Sequence, residues 1–192
     1  MNESSSRGTH RETEVTTCEL ERSIRTVPDF PRVGISYKDV TPLIEDGTAL
    51  HAAVDALATA TDGLAYDRIL SAEARGFVFG TALAYRARKG LILARKPNKL
   101  PMETIIAYYD LEYGTDSLEI HTDSIHPGTR ILFADDLLAS GGTARAMCQL
   151  VENAGGTVAG VAFLIELSYL KGRDRLRPYD VISVITYDTP DD

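Results

Sequence analysis

The sequence predicts an α/β fold with a mostly parallel central sheet flanked by helices. Two observations carry this. Five short runs, Arg68–Ala72, Leu91–Arg95, Arg130–Ala134, Val158–Ile165 and Val181–Ile185, are almost continuously apolar rather than alternating, as strands buried on both faces are. Helical segments lie between them, and strand–helix–strand alternation builds a parallel sheet with helices on its faces.

Taken in order, residues 1 to about 15 are rich in Ser, Thr, Glu and Arg and nearly free of apolar side chains, the composition of a flexible polar tail. Thr16 and Glu19 fit a capping box. Leu20, Ile24 and Val27 follow at helical spacing, and Pro28 ends that helix. Phe30–Val40 reads as irregular. From about Gly47 to Thr59, Leu50, Ala53, Val54, Leu57 and Ala58 form an apolar helical stripe. Phe77–Arg88 and Thr143–Asn153 are the helices between the strands. The second carries Ala144, Met147, Cys148 and Val151 on one face and stops at Gly155-Gly156. Lys96 to Pro127 breaks the pattern, with Pro97, Pro101 and Gly114, several tyrosines and several acids. A connection that long is usually functional, often a lid, or carries its own hairpin.

Composition narrows the function. The chain has 192 residues, 44% hydrophobic and 25% charged, enough for one domain with a core that needs no disulfide or metal staple. The formal charge is 20 − 28 = −8, which argues against a general nucleic-acid surface but not against a local cationic pocket. Cys18 and Cys148 form no CxxC pair, and the four histidines form no HExxH. His121 and His126, with Asp123 between, suit structural hydrogen bonds better than a metal. The start is polar and no apolar run approaches the roughly 20 residues that span a bilayer, so a cytoplasmic location is expected.

The segment that carries chemistry is Ile131–Thr143, ILFADDLLASGGT: a buried strand, two carboxylates at its end, a Gly- and hydroxyl-rich loop, then a helix. Gly141 and Gly142 let a ligand approach the backbone closely. Ser140 and Thr143 add hydroxyl donors, and the helix start adds partial positive charge. Together they make a phosphate cradle. Asp135 and Asp136 lie beside it, able to accept hydrogen bonds from sugar hydroxyls or to hold Mg²⁺ through water. The plainer reading is an acidic turn using Ser and Gly for geometry alone. No Walker sequence and no GxGxxG opens a helix, so neither a P-loop nor a dinucleotide fold is indicated.

This string resembles the 5-phosphoribosyl-1-pyrophosphate (PRPP) signature of type I phosphoribosyltransferases. Three more segments are similar to the adenine-specific branch of that family: Glu73–Gly80 (EARGFVFG) to its pyrophosphate loop, Lys99-Leu100-Pro101 with Tyr109–Gly114 to its lid, and Phe30-Pro31 through Gly34-Ile35 to Asp39–Leu43 to its base-binding hood. The resemblance runs from about Leu20 to Tyr187. It implies the type I phosphoribosyltransferase fold, as a single domain over residues 16–192, with a small N-terminal hood at about 16–45 and a mobile lid at about 96–127. The implied reaction is purine salvage: adenine plus PRPP giving AMP and pyrophosphate, with Mg²⁺ required and a homodimer as the usual assembly.

By resemblance, Ala139, Ser140, Gly141, Gly142 and Thr143 hold the 5′-phosphate, and Asp135 and Asp136 meet the ribose hydroxyls, with Mg²⁺ near them carried by PRPP and water rather than by direct protein ligands. Arg75 and Gly76 meet pyrophosphate, joined by Lys96, Lys99 and Arg95, the last also across a dimer interface. Arg75 suits bidentate phosphate contact. Glu112 faces the imidazole edge of the purine and assists proton movement there, while Tyr113 shields the reacting centre. Tyr37 stacks on the base, Lys38 lies near its ring, and Leu167 packs from the other side.

The chain departs from the family pattern in places. Val33 replaces a proline, Lys38 stands where arginine is frequent, and Ser140 replaces a threonine. Pro97-Asn98 and Met102 stand where glycines are usual, which stiffens the lid. None removes a chemical group the reaction needs. Two other readings stay open. Lys38 suits a 6-oxopurine as the base, against which the Glu112-Tyr113-Gly114 segment argues. A regulator that senses PRPP without consuming it would share the fold, but would normally add a basic surface or a nucleic-acid-binding domain.

Overall fold

The computed structural model describes residues 17–111 and 114–190, omitting the side chains at positions 110, 111, 114 and 115. The polar start and the cap at Thr16 lie outside the described residues.

Five parallel strands form the central sheet: β3 (Arg68–Ala72), β4 (Gly90–Ala94), β7 (Arg130–Leu138), β8 (Thr157–Leu167) and β9 (Val181–Tyr187), in the order β4-β3-β7-β8-β9. Both faces are covered, which explains the unbroken apolar runs. In β7, Leu132 and Ala134 join a core with Leu57 and Phe79, from the helices α3 (Gly47–Thr61) and α4 (Gly76–Ala87). Ile131 and Phe133 point to the opposite core, with Met147 and Cys148 of α5 (Gly142–Asn153). Helix α3 begins where the Asp46 carboxylate accepts the N–H groups of Thr48 and Ala49, at 2.8 and 3.0 Å, a standard cap.

Two small antiparallel sheets sit beside the main one. The first pairs β1 (Arg25–Pro28) with β2 (Ser36–Asp39). This corrects the sequence reading of residues 16–28 as one helix. The first helix, α1 (Thr17–Arg22), stops well short of Pro28, and Val27 and Pro28 lie in a strand. Leu20 and Ile24 are buried as their spacing suggested, but the β-branched Thr26-Val27 pair finds partners in Lys38 and Tyr37, and Pro28 sits at the strand end, where a missing donor costs least. Ser36–Asp39, expected to be irregular, is the other half of that ladder. A short helix, α2 (Thr41–Glu45), links β2 to α3.

The second small sheet is the hairpin of β5 (Thr104–Leu111) and β6 (Gly114–His121), the secondary structure that the long 96–127 connection carries. β7 extends beyond the expected Ala134 to Leu138, so Asp135 and Asp136 belong to the strand rather than following it. No described helix is long and apolar enough to cross a membrane.

Candidate functional site

Because the five strands are parallel, their carboxyl ends open along one edge, where ligands of open α/β sheets bind. Several of the residues singled out from sequence lie along it. Glu73–Arg75 follow β3, Arg95 and Lys96 follow β4, Ala139–Gly141 follow β7, and Leu167 closes β8.

The turn from β7 into α5 forms a cavity of about 80 Å³ lined by Asp135, Leu137–Ala144 and Phe163. Gly141 caps α5 with φ of 81°, a conformation glycine adopts without strain. The first helical hydrogen bond, from the Arg145 N–H to the Gly141 carbonyl, measures 2.9 Å. The N–H groups of Gly142, Thr143 and Ala144 precede that bond in the first turn of α5, and such leading N–H groups at a helix start favour an anion.

Two carboxylates stand next to this turn. Asp135 Oδ1 accepts the Asp136 N–H at 2.9 Å. It also lies so near the start of α4 that a Cβ at Gly76 would come within 2.3 Å of it, so any side chain there would push the carboxylate aside. Asp136 is buried, with Arg75 Nε 2.8 Å from its Oδ2. Burial, then the neighbouring Asp136 charge, pushes the Asp135 carboxyl well above the usual range. Asp136 is raised by burial as well, against the pull of Arg75.

Arg75 bridges two parts of the site. Its other arm donates to the Tyr37 hydroxyl, and its guanidinium lies 5.2 Å from the Tyr37 ring centroid. Tyr37 in turn packs edge-on against Phe30, with centroids 5.0 Å apart. Lys38 behaves differently. It is 1% exposed, its ammonium donates to Thr26 Oγ1 at 3.0 Å and sits 4.1 Å above the Tyr187 ring. It supports the β1–β2 hairpin from beneath. Leu167, 5% exposed, pairs with Tyr187 at the end of the sheet.

The cations after β4 are held by acids that sequence reasoning missed as partners. Glu73 accepts the Lys96 N–H at 2.9 Å and Arg95 Nε at 3.2 Å. The backbone donor from Lys96 contributes most to holding the Glu73 carboxyl below its ordinary range. Lys96 reaches across to Asp116 and to the Tyr109 hydroxyl. Burial acts to lower its pKa, but these two partners outweigh that and raise it. Buried Glu119 accepts the Lys99 and Leu100 N–H groups at 3.3 and 3.4 Å and the Thr104 hydroxyl at 3.0 Å. Tyr109 and Asp116 face each other across the hairpin, a pairing visible only once the register is known.

Glu112 and Tyr113 lie outside the described residues. Among the described residues no three His, Cys, Asp or Glu gather as a metal cluster. A larger cavity of about 330 Å³, lined among others by Tyr66, Arg86, Lys89 and Arg130, lies at the opposite edge of the sheet. Its arginines are already paired, Arg86 with Asp55 and Arg130 with Asp67.

Comparison with known proteins places the fold in a known family. A family model described as a phosphoribosyl transferase domain matches residues 40–191. The adenine phosphoribosyltransferase of Rubrobacter xylanophilus is 67% identical over 179 residues, 93% of this chain and 97% of the relative. That of Pseudothermotoga lettingae is 53% identical over 88% of this chain and 99% of its own. Among solved structures, the adenine phosphoribosyltransferase of Thermoanaerobacter pseudethanolicus superposes with a TM-score of 0.88 at 49% identity, covering 90% of this chain and all of that one. The enzyme of Saccharomyces cerevisiae, crystallised with an imino-altritol bisphosphate and adenine, gives 0.82 at 34% identity, covering 88% of this chain and 97% of that one.

Proposed function

The chain belongs to the adenine phosphoribosyltransferase family, and we propose that it performs the family's reaction, adenine plus PRPP giving AMP and pyrophosphate, with the residues of the carboxyl edge. The observation that carries the assignment is the β7 turn: a helix start with grouped N–H donors, directly beside Asp135, Asp136 and Arg75.

Ala139–Thr143 receive the 5′-phosphate of PRPP. Asp135 and Asp136 accept the ribose hydroxyls. Arg75 exchanges its Tyr37 contact for the pyrophosphate, and Lys96 exchanges Asp116 for the same group, with Arg95 and Lys99 adding charge. The adenine nitrogen attacks the anomeric carbon as the bond to pyrophosphate breaks, and pyrophosphate leaves with the electron pair. The preorganised cations stabilise that departing charge. Glu112 takes up the proton released from the imidazole edge, and Tyr113 screens the centre from water. Tyr37 and Leu167 bracket the base, and Lys38 holds the hairpin behind Tyr37.

Mg²⁺ fits this donor set as an ion brought in with the substrate. Asp135 and Asp136 supply hard carboxylate oxygens, and the described residues gather no third acid to complete a protein cage, the situation in which Mg²⁺ keeps its waters and leans on substrate phosphates. Bound there, it supplies charge neutralisation of the diphosphate. We place the enzyme in the cytoplasm as a homodimer, on the family resemblance. The 6-oxopurine reading rested on Lys38, whose ammonium is engaged by Thr26 and Tyr187.

The test is turnover with PRPP, Mg²⁺ and one base at a time, followed by chromatography. AMP forming from adenine far faster than any nucleotide from hypoxanthine, guanine or xanthine supports the reading. A 6-oxopurine winning overturns the base assignment. PRPP binding without turnover overturns the enzyme.

A further inference from the structure

The segment after β8, which no site motif includes, packs directly under the phosphate turn. It consists of two short 3₁₀ turns, Ser168–Leu170 and Gly172–Leu176. A Cβ at Gly172 would come within 2.1 Å of the Ala139 carbonyl oxygen and 3.0 Å of Leu138 Cδ1. Reciprocally, a Cβ at Gly141 would lie 2.6 Å from the Gly172 carbonyl oxygen. Two glycines thus meet backbone to backbone, one in the turn and one beneath it. Backbone atoms cannot swing aside as the end of a flexible side chain can, so the height of the turn is set by this contact.

The next residue fastens the lower layer to the sheet. Arg173 forks onto Glu166 of β8, with Nε 3.0 Å from Oε1 and Nη2 2.5 Å from Oε2. It also donates to the Val181 carbonyl of β9 at 2.6 Å. Ser183 of β9 donates to the same Glu166 carboxylate at 2.5 Å. Glu166 is 4% exposed. Despite burial, Arg173 and Ser183 keep it below the ordinary carboxylate range, so the pair is ionic. A planar fork onto a carboxylate fixes direction as well as distance. Glu166 immediately precedes Leu167, the proposed wall of the base site.

We propose that Gly172 and Arg173 are positioning residues for the phosphate turn: Gly172 sets the height of Ala139–Gly141, and the Arg173–Glu166 fork locks Gly172 to β8 and β9. This rests on the assignment of Ala139–Thr143 to the 5′-phosphate. The consequence is selective. Lifting the turn misaims N–H groups toward the sugar phosphate, while the pyrophosphate cations after β3 and β4 stay in place.

The test compares Gly172→Ala, Arg173→Lys and Thr143→Ala with the parent enzyme. Each is assayed in both directions, with melting temperatures to track the fold. Loss of one hydrogen bond to a charged group corresponds to about tenfold or more. Gly172→Ala is therefore expected to raise KM for PRPP and for AMP about tenfold. KM for pyrophosphate in the reverse reaction, and for adenine in the forward one, should stay within about twofold. Arg173→Lys, which keeps charge but loses the fork, should shift the same two constants by less, and it carries the test if Gly172→Ala melts too low to assay. If Thr143→Ala raises KM for PRPP while neither other variant does, the positioning role is overturned and the phosphate assignment stands. All four constants moving together also overturns it, since that marks general loosening. If Thr143→Ala leaves KM for PRPP unchanged, the phosphate assignment falls and the inference with it.

Discussion

Asp135→Asn should make the protein more stable and a worse enzyme, with the stability gain growing as pH rises. The substitution preserves shape, and an amide oxygen can still accept the Asp136 N–H that Asp135 accepts at 2.9 Å. What it removes is a carboxyl whose pKa is raised first by burial and then by the adjacent Asp136 charge. A carboxyl raised by folding keeps its proton in the folded state where the unfolded chain has already released it. Its stabilisation is therefore complete below the unfolded value, near 4, and fades as pH climbs to the raised folded value. Above that, the folded chain carries an ionised group it disfavours. Each unit of elevation corresponds to about 1.4 kcal/mol, or about 3–5 °C of melting temperature for a domain of this size. Thermal melts of both proteins from pH 5 to 9, at matched concentration, should show a melting-temperature gap in favour of the variant that widens with pH. KM for PRPP should rise over the same range. A gap that stays flat, or a variant that melts lower at pH 8, would refute the assignment of an unfavourably buried charge.

Glu112→Gln should lower kcat by about 10²- to 10⁴-fold, the usual span for a lost proton-transfer group. Steady-state kinetics should find KM for PRPP nearly unchanged, because that side chain is assigned to the base. Excess EDTA should abolish turnover while leaving the melting temperature of the free protein in place, since the described residues form no metal cage; calorimetry with and without chelator checks this. Gly80→Ala should destabilise by about 1–3 kcal/mol through overpacking. Its Cβ would fall 1.8 Å from Ser71 Oγ, which is committed to the Ala134 carbonyl at 2.7 Å. Denaturant melts would register the loss, and adding Ser71→Ala should recover part of it.

The parts legible in the sequence were those made by neighbouring residues. The phosphate turn is one contiguous strand, loop and helix, and ILFADDLLASGGT announces all three; β7 runs on through both acids to Leu138, and α5 opens at Gly142, one residue before the expected Thr143. Helix α3 was legible from its stripe and extends just two residues past the expected end. Illegible parts depend on pairing across distance. Val27 fits a helical spacing and a strand equally well, and only Tyr37 opposite decides between them. The Arg75–Tyr37 contact joins residues 38 apart and the Lys96–Asp116 pair residues 20 apart. No local pattern encodes either. The Gly172 contact with Ala139 was equally invisible, because a lone glycine before Arg173 reads as an ordinary turn.

The acids of the carboxyl edge separate by what faces them. Glu73, Asp116 and Glu166 all feel burial, yet all three titrate below their ordinary range. Each meets a cation: Arg95 for Glu73, which also accepts the Lys96 backbone N–H, Lys96 for Asp116, and Arg173 for Glu166. These acids are saturated, and their work is to hold cations or loops at fixed positions. Asp135 and Asp136 are raised instead. Arg75 is the cation within reach, its side chain is 37% exposed, and it is also shared with Tyr37. The chain thus keeps two carboxylates short of positive partners in the middle of its sheet, where apolar residues would pack at lower cost. Such a deficit persists in a folded protein when a ligand completes it. In the proposed reaction, sugar hydroxyls and a diphosphate carrying a divalent cation would supply the donors and the charge that these two positions lack. The acids that lie nearest the phosphate turn are for that reason the ones the fold leaves unsatisfied.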